Sequence, residues 1–380
     1  MTISRTKKFA GVAAAASIAL ALAGCGAAPE TGGDSSEAPE ASDFIPCLVS
    51  DDGGFNDKSF NQSALEGMEN AAEELGVTPI EVESRSANDY ASNLENLVAE
   101  GCTFIVAVGF KLSADTIASA TANPDIDYAI IDDYADAEGD TNDDGSPKGD
   151  GVTDAPNIKP LVFDTVQAAY LGGYAAAAWS AQAGVNSVGT VGGIKIPPVT
   201  IFMDGYVDGV AKYNEDKGAS VGVVGWDVAS QDGSFTDNFD ANDVSKQAMQ
   251  GVLDQGVDVL LPVGGPIYQS GAQAIRESGS DAVILGVDSD LAVVDESVAD
   301  LVLVSIMKRI DSAVYDATMA AAAGDFDVAP YVGTLENEGV GLSSFGAFEA
   351  ELPEGLMDEL AALQEQIISG ELEVSSPSSP

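Results

Sequence analysis

Carboxylates and glycines, joined by a few aromatics, occupy the places where this chain has chemistry to offer. The run from Ser50 to Gln62 carries Asp51, Asp57, Phe60 and Asn61 around two adjacent glycines. Gly109-Phe110-Lys111, Asp132-Asp133, Gly192-Gly193, the stretch Asp227 to Phe235, Gly264-Gly265 and Asp288-Ser289-Asp290 repeat the theme further along. Such residues provide buried acceptors and let backbone approach a ligand closely, which suits a neutral, hydroxyl-rich small molecule whose flat faces would need aromatic partners. They suit catalysis poorly. The chain has no histidine, and no serine or lysine stands in a nucleophile pattern. A reaction such as nucleoside hydrolysis would have to rest on carboxylates alone or a metal, and the cluster of four aspartates at one strand end that would favour it is missing. The expectation is a binding protein, not an enzyme, with no cofactor.

One further cluster bears on metals. Asp140-Thr141-Asn142-Asp143-Asp144-Gly145 fits the first half of a calcium loop, with oxygen ligands at Asp140, Asn142 and Asp144 and a glycine at the sharp turn. The closing glutamate is absent: Gly151 holds the twelfth loop position and Val152 follows. An exposed turn has the same composition, so no metal is expected.

The elements that must position these loops alternate. Strands are expected at 44–49, 77–82, 104–108 and 128–131, separated by helices at 60–75, 90–99 and 114–122, where apolar residues recur at helical spacing, as at Ala64, Met68, Ala71 and Leu75. After the acidic, glycine-rich stretch Asp136 to Asp154 the rhythm restarts: helix 168–183, strand 187–191, helix 203–216, strand 219–224, helix 243–255, strand 258–262, helix 269–278 and strand 282–287. Strands alternating with helices make right-handed βαβ units, so the chain is α/β with two doubly wound parallel-sheet lobes. The polar loops then fall at the carboxyl ends of the strands, where open α/β sheets bind ligands. Helix 312–323, a strand-like run 331–335, a terminal amphipathic helix over 352–370 and a frayed tail from Ser375 to Pro380 complete the pattern.

The N-terminus decides where the body works. Arg5, Lys7 and Lys8 precede an uncharged apolar run from Phe9 to Leu22, too short for a stable membrane span and ending in Leu22-Ala23-Gly24-Cys25. This reads as a signal peptide with a lipobox, cut before Cys25 so that the acylated cysteine anchors the protein on the extracytoplasmic face of the cell membrane. Residues 26–43 lack apolar periodicity and read as a disordered tether. Cys47 and Cys102 remain, suited either to a disulfide or to two small buried side chains at strand positions, with the second reading preferred. With 62 acidic against 15 basic residues the net charge is −47, which leaves no basic footprint for nucleic acid or for a polybasic membrane contact. A surface so acidic stays hydrated and monomeric where salt screens its self-repulsion.

Taken together, Asp51-x-Gly53-Gly54-x-x-Asp57-Lys58-Ser59-Phe60-Asn61-Gln62, Val106-Ala107-Val108-Gly109-Phe110, Ile130-Ile131-Asp132, Ala169-Tyr170-Leu171-Gly172-Gly173-Tyr174, Val188-Gly189-Thr190-Val191-Gly192-Gly193, Gly286-Val287-Asp288-Ser289-Asp290 and Ser305-Ile306-Met307-Lys308 run in order along the chain. This set resembles the basic membrane protein family of ABC-transporter substrate-binding lipoproteins, the group that includes purine nucleoside receptors. The resemblance implies a type I periplasmic-binding-protein fold with a three-stranded hinge. Residues 44–162 plus about 305–325 would form lobe 1, 163–304 plus about 326–350 lobe 2, and 351–380 a C-terminal helix and tail. It also implies a nucleoside, purine favoured, as ligand, with a sugar or other small polar metabolite as the alternative, and the permease and ATPase subunits of an importer as partners. By that resemblance Phe60 stacks on one face of the base and Phe235 covers the other, with Phe239 as its substitute because the spacing around Gly233-Ser234-Phe235 departs from the family form. Asp51 and Asp132, helped by Asn61, would bond the base edge. Asp288 and Lys308 would hold the ribose hydroxyls, with Gly264 giving close approach. For Lys308 the rival reading is a buried structural ion pair.

Overall fold

Side chains alternate along every central strand, and both faces of each sheet are covered, so buried residues run almost without interruption. In β1 (Pro46–Val49), Cys47 and Val49 face one layer of helices while Leu48 faces the other. β2 (Ile80–Val82), β3 (Phe104–Ala107), β4 (Asp127–Ile131) and β5 (Ile158–Phe163) follow in the same half. The computed structural model describes residues 43–136 and 152–380. Cys25, the tether up to residue 42, and Asp140, Asn142 and Asp144 lie outside the described residues.

In the first half, α1 (Phe60–Leu75) follows β1, and α2 (Tyr90–Ala99) and α3 (Ser113–Ala122) flank β3. The second half runs α4 (Val166–Ala183), β6 (Ser187–Gly192), α5 (Pro197–Lys217), β7 (Gly222–Val224), a small hairpin of β8 (Trp226–Asp227) and β9 (Asp232–Gly233), α6 (Asp243–Leu253), β10 (Val259–Val263), α7 (Ile267–Ser278), β11 (Val283–Asp288), the short α8 (Leu291–Val294) and β12 (Val302–Lys308). The chain then returns through α9 (Ile310–Ala323), β13 (Tyr331–Gly333) and β14 (Val340–Leu342), and closes with α10 (Leu356–Ile368).

The described strands form two six-stranded sheets beside the hairpin. The first has the order β13-β5-β4-β3-β1-β2 and is parallel throughout. The second, β14-β12-β11-β10-β6-β7, repeats that doubly wound order, with β14 antiparallel at its edge. Among the described residues three connections pass between the sheets, at Phe163–Val166, Lys308–Ile310 and Gly333–Val340. This is the type I periplasmic-binding-protein architecture with its three-stranded hinge.

The returning segment divides differently from the expectation. Ser305 to Lys308 complete a strand of the second sheet, and Tyr331–Gly333 pair with β5 in the first. The crossovers therefore fall after Lys308 and after Gly333, not near residues 305 and 326. Strands β5, β8, β9, β12 and β14 have no counterpart among the expected elements. Pro160 inside β5 argues against a central strand, since proline gives up a ladder hydrogen bond, yet β5 lies between β4 and β13.

α4 and α5 pack closely enough that glycine is required at the contact. A Cβ on Gly173 would lie 2.0 Å from the Tyr206 carbonyl oxygen, and one on Gly209 would lie 1.9 Å from that of Tyr170. The Gly-Gly-Tyr run of α4 thus serves helix packing. Cys47 and Cys102 are joined in a disulfide, with Cα atoms 6.0 Å apart, so the preferred reading of two separate thiols gives way. Nor is the tail frayed. Leu372 and Val374 pack on the core, Ser376 donates to Asp204 of α5, Ser378 shares a hydrogen bond with Thr200, and Ser379 donates to Asp164 in the first crossover.

Candidate functional site

The carboxyl ends of β1, β3 and β4 face those of β6, β10, β11 and β12 across a cavity of about 350 Å³. Its size suits a small organic ligand. Seven of the eight site residues expected from sequence line it: Asp51, Phe60, Asn61, Asp132, Gly264, Asp288 and Lys308.

Two polar groups are built within it, one largely by the first lobe and one from both. Asp51 follows β1, and its Oδ1 accepts from the Gly53 N–H at 2.9 Å and from Asn61 Nδ2 at 2.9 Å. Asn61 also donates Nδ2 to Asp57 at 3.1 Å and accepts from the Asp51 N–H. The Asn61 amide is therefore spent on neighbours, and it positions Asp51. Asp57 caps α1, taking the N–H groups of Ser59, Asn61 and Gln62 at 2.9–3.0 Å. The Asp51 Oδ2 lies beside Gly109, whose φ of 105° favours glycine and whose missing Cβ leaves room for the edge of the Phe60 ring.

The second group centres on Lys308, the last residue of β12 and almost fully buried. Its Nζ donates to Asp132 at 2.6 Å, lies 3.8 Å from Asp288, and has the rings of Phe60, Phe163 and Phe202 5.0, 5.6 and 5.8 Å away. Asp132 follows β4 and Asp288 ends β11, and both adopt left-handed backbone, at φ 63° and 65°, a strained conformation for residues other than glycine. Ser59 donates to Asp288 at 2.9 Å from the opposite lobe. Asp132 thus belongs with Lys308 and Asp288 and not, as expected, with Asp51. Burial pushes the carboxyls of Asp51 and Asp132 above the ordinary aspartate range, against the Asn61 and Gly53 bonds to the first and the Lys308 charge beside the second.

Phe235 is the exception among the expected residues. It lies behind the wall, edge-on to Trp226 at 5.8 Å and against Gly192. Phe239 lines the cavity instead, resting on Gly193 and Gly264, where a Cβ would come within 2.4 and 2.6 Å of its ring. Lys111 reaches over that ring at 5.2 Å while its Nζ bonds Asp52 at 2.6 Å. The sequence offered a signal for Lys111, its place directly after β3, but none that set it opposite Phe239. Among the described residues, no group of three or more His, Cys, Asp or Glu is arranged to hold a metal ion, and no helix is long and apolar enough to cross a membrane.

A family model of ABC transporter substrate-binding proteins of the PnrA-like (Bmp) type matches residues 45–377. The chain belongs to this family. It is 28% identical to the ABC transporter nucleoside-binding protein BmpA of Lactococcus lactis over 96% of this chain and 99% of that relative. It is 32% identical to basic membrane protein A1 of Borrelia garinii, over 67% of this chain and 65% of the other. Among solved structures, an ABC transporter solute-binding protein from Aeropyrum pernix superposes with a TM-score of 0.70 at 28% identity, covering 88% of this chain and 94% of its own. As a PnrA-like protein the chain is the substrate-binding component of an ABC transporter. It takes a small-molecule ligand, meets transporter components, and works at the extracytoplasmic side of a membrane.

Proposed function

We propose that the ligand is a nucleoside, purine favoured, held without catalysis and delivered to an importer by a protein anchored through an acylated Cys25. The observation that carries the reading is one cavity with an aromatic from each lobe, Phe60 and Phe239, and a buried polar group at each of two places, Asp51 and the Lys308–Asp288 pair. Aromatic rings stack on a base for about 1–3 kcal/mol each. Asp51 has an oxygen left to accept from a base N–H, and Asp288 with Lys308 offers an acceptor and a donor for a ribose diol. Asp132 acts by holding Lys308. The nucleoside-binding relative that aligns along nearly the whole chain supports the same ligand. The anchor rests on Leu22 to Cys25, and the Cys47–Cys102 disulfide suits an oxidising compartment outside the cytoplasm.

A thermal-shift screen followed by titration calorimetry tests the ligand. Purine nucleosides should raise the unfolding midpoint by mass action and free bases less so. A shift with a sugar and none with any nucleoside would overturn the assignment. Free base released from a bound nucleoside would overturn the non-catalytic reading.

A further inference from the structure

Lys58 and Asp295 line no part of the cavity, yet they join its two walls. Lys58 lies in the loop that carries Asp51, Asp57 and Ser59, in left-handed backbone at φ 56°. Its Nζ crosses to the second lobe and bonds Asp295 Oδ1 at 3.1 Å, 237 positions away in sequence. Asp295, just past α8, is buried and already organised by its own lobe. Tyr268 donates to its Oδ2 at 2.8 Å, and the Ser297 N–H and hydroxyl donate to Oδ1 at 3.1 and 2.7 Å. Burial alone would raise this carboxyl, but the bonds from Ser297, Tyr268 and Lys58 outweigh it and hold it at about 2. It is a fixed anion at every ordinary pH, and all its donors except Lys58 move with the second lobe. Lys58 is more than a third exposed and comes from the other lobe, so it is the donor that leaves when the lobes part.

We infer that the Lys58–Asp295 ion pair is a closure clasp: Lys58 is a positioning residue that docks the Asp51–Ser59 loop against the second lobe and slows ligand escape. The inference rests on the ligand-binding reading proposed above. The adjacent Ser59–Asp288 hydrogen bond makes the geometry consequential. Docking Lys58 brings Ser59 onto Asp288 and sets α1, with Phe60 at its start, against the far wall. A chain with 15 basic residues against 62 acidic ones commits one of its few lysines to this contact. A clasp formed only after the lobes meet acts on dissociation and leaves association unchanged.

The test compares Lys58→Met, which keeps the stem and removes the charge, with Lys58→Arg, which keeps the charge. Stopped-flow binding of adenosine and guanosine gives both rate constants, and small-angle scattering of the ligand-free protein gives the open fraction. Lys58→Met should release nucleoside roughly three- to tenfold faster at an unchanged association rate, and Lys58→Arg should restore the wild-type value. A release rate within twofold of wild type in Lys58→Met, or a loss that arginine does not mend, would overturn the clasp. If the wild-type protein binds neither nucleoside, the ligand assignment fails and scattering decides the clasp: Lys58→Met must have a larger radius of gyration than wild type, and an equal radius refutes it.

Discussion

Lys308 is bonded to Asp132 at 2.6 Å and sits 3.8 Å from Asp288, with all three side chains nearly excluded from water. Replacing it by methionine keeps most of the volume and removes the cation. Two carboxylates are then left buried without their counter-charge, a change that costs about 3–5 kcal/mol when one partner of a buried pair is lost. The variant can relieve this by protonating Asp132, whose carboxyl burial already pushes upward. A carboxyl whose folded pKa stands above its unfolded value stabilises the fold at low pH and loses that contribution as pH rises through the folded pKa. The deficit of Lys308→Met should therefore be full at pH 7.5 and shrink on acidification. One extra proton bound by the folded state over the interval from pH 7.5 to 5.0 is worth at most about 3.4 kcal/mol at 1.36 kcal/mol per unit. Urea unfolding of wild type and variant at both pH values measures this directly, and the double variant Lys308→Met with Asp132→Asn should recover part of the loss at pH 7.5. An equal deficit at both pH values, together with no recovery in the double variant, would show that the stranded carboxylates neither take up a proton nor cause the loss, and would refute this account.

Phe239→Ala should weaken nucleoside binding roughly tenfold or more by calorimetry, whereas Phe235→Ala should lower the melting temperature through its contact with Trp226 and leave affinity nearly intact; the reverse pattern restores the sequence-based choice. Asp133, raised to about 6 by burial and by the nearby Asp136 and Asp132 against bonds from Ser113 and the Ala135 N–H, should add about 2–3 kcal/mol of stability as pH falls from 7 to 4. Asp133→Asn should flatten that slope in denaturant titrations, and an unchanged slope would assign the effect elsewhere. Removing residues 375–380 deletes the bonds to Asp204, Thr200 and Asp164 and should lower the melting temperature by a few degrees; a tail that contributes nothing would leave it unmoved. With a net charge of −47 the melting temperature should rise between low salt and molar KCl as repulsion is screened, and equal values would count against a surface adapted to salt.

Periodicity carried most of the architecture because doubly wound sheets write it plainly. α1 and α2 fall at the expected residues, 60–75 and 90–99, since each helix turns one apolar stripe to a sheet. The missed strands have different causes. β5 contains a proline, which argues against a central strand, and β8, β9 and β14 are only two or three residues long, too short for a period to show. The site was legible where loop position alone decides, as for Asp51 and Gly264 at strand ends. It was not legible where two segments compete for one place. Phe235 and Phe239 lie four residues apart in the same loop, and which one faces the ligand depends on Gly192, Gly193 and Gly264 leaving room for each ring. The spacing of that loop pointed to the ambiguity without resolving it. The disulfide was undecidable for a similar reason, because Cys47 and Cys102 read as ordinary buried residues until β1 and β3 are known to be neighbours.

The left-handed backbone at Asp132 and Asp288 ties the two halves of the molecule to one cation. Each residue stands at the carboxyl end of a strand in a different sheet, Asp132 just past β4 and Asp288 closing β11, and each is held in a conformation that costs of order 1–3 kcal/mol outside glycine. Aspartate tolerates this region better than most residues, and exposed Asp237 and Glu338 adopt it as well. Here Lys308 bonds one carboxylate and lies within reach of the other, and Ser59 fixes the second from across the cleft. Lys308 itself stands at the last position of β12, immediately before the Lys308–Ile310 crossover. The charge that organises the cavity is therefore also a hinge residue, so relative movement of the lobes changes its distance to the two carboxylates unequally: Asp132 lies on the first sheet, whereas Asp288 shares the second sheet with Lys308 in adjacent strands. Opening the cleft should lengthen the Asp132 bond and keep the Asp288 contact, which places the Lys308–Asp132 bond with the Lys58–Asp295 clasp and the Ser59–Asp288 hydrogen bond among the contacts that depend on closure.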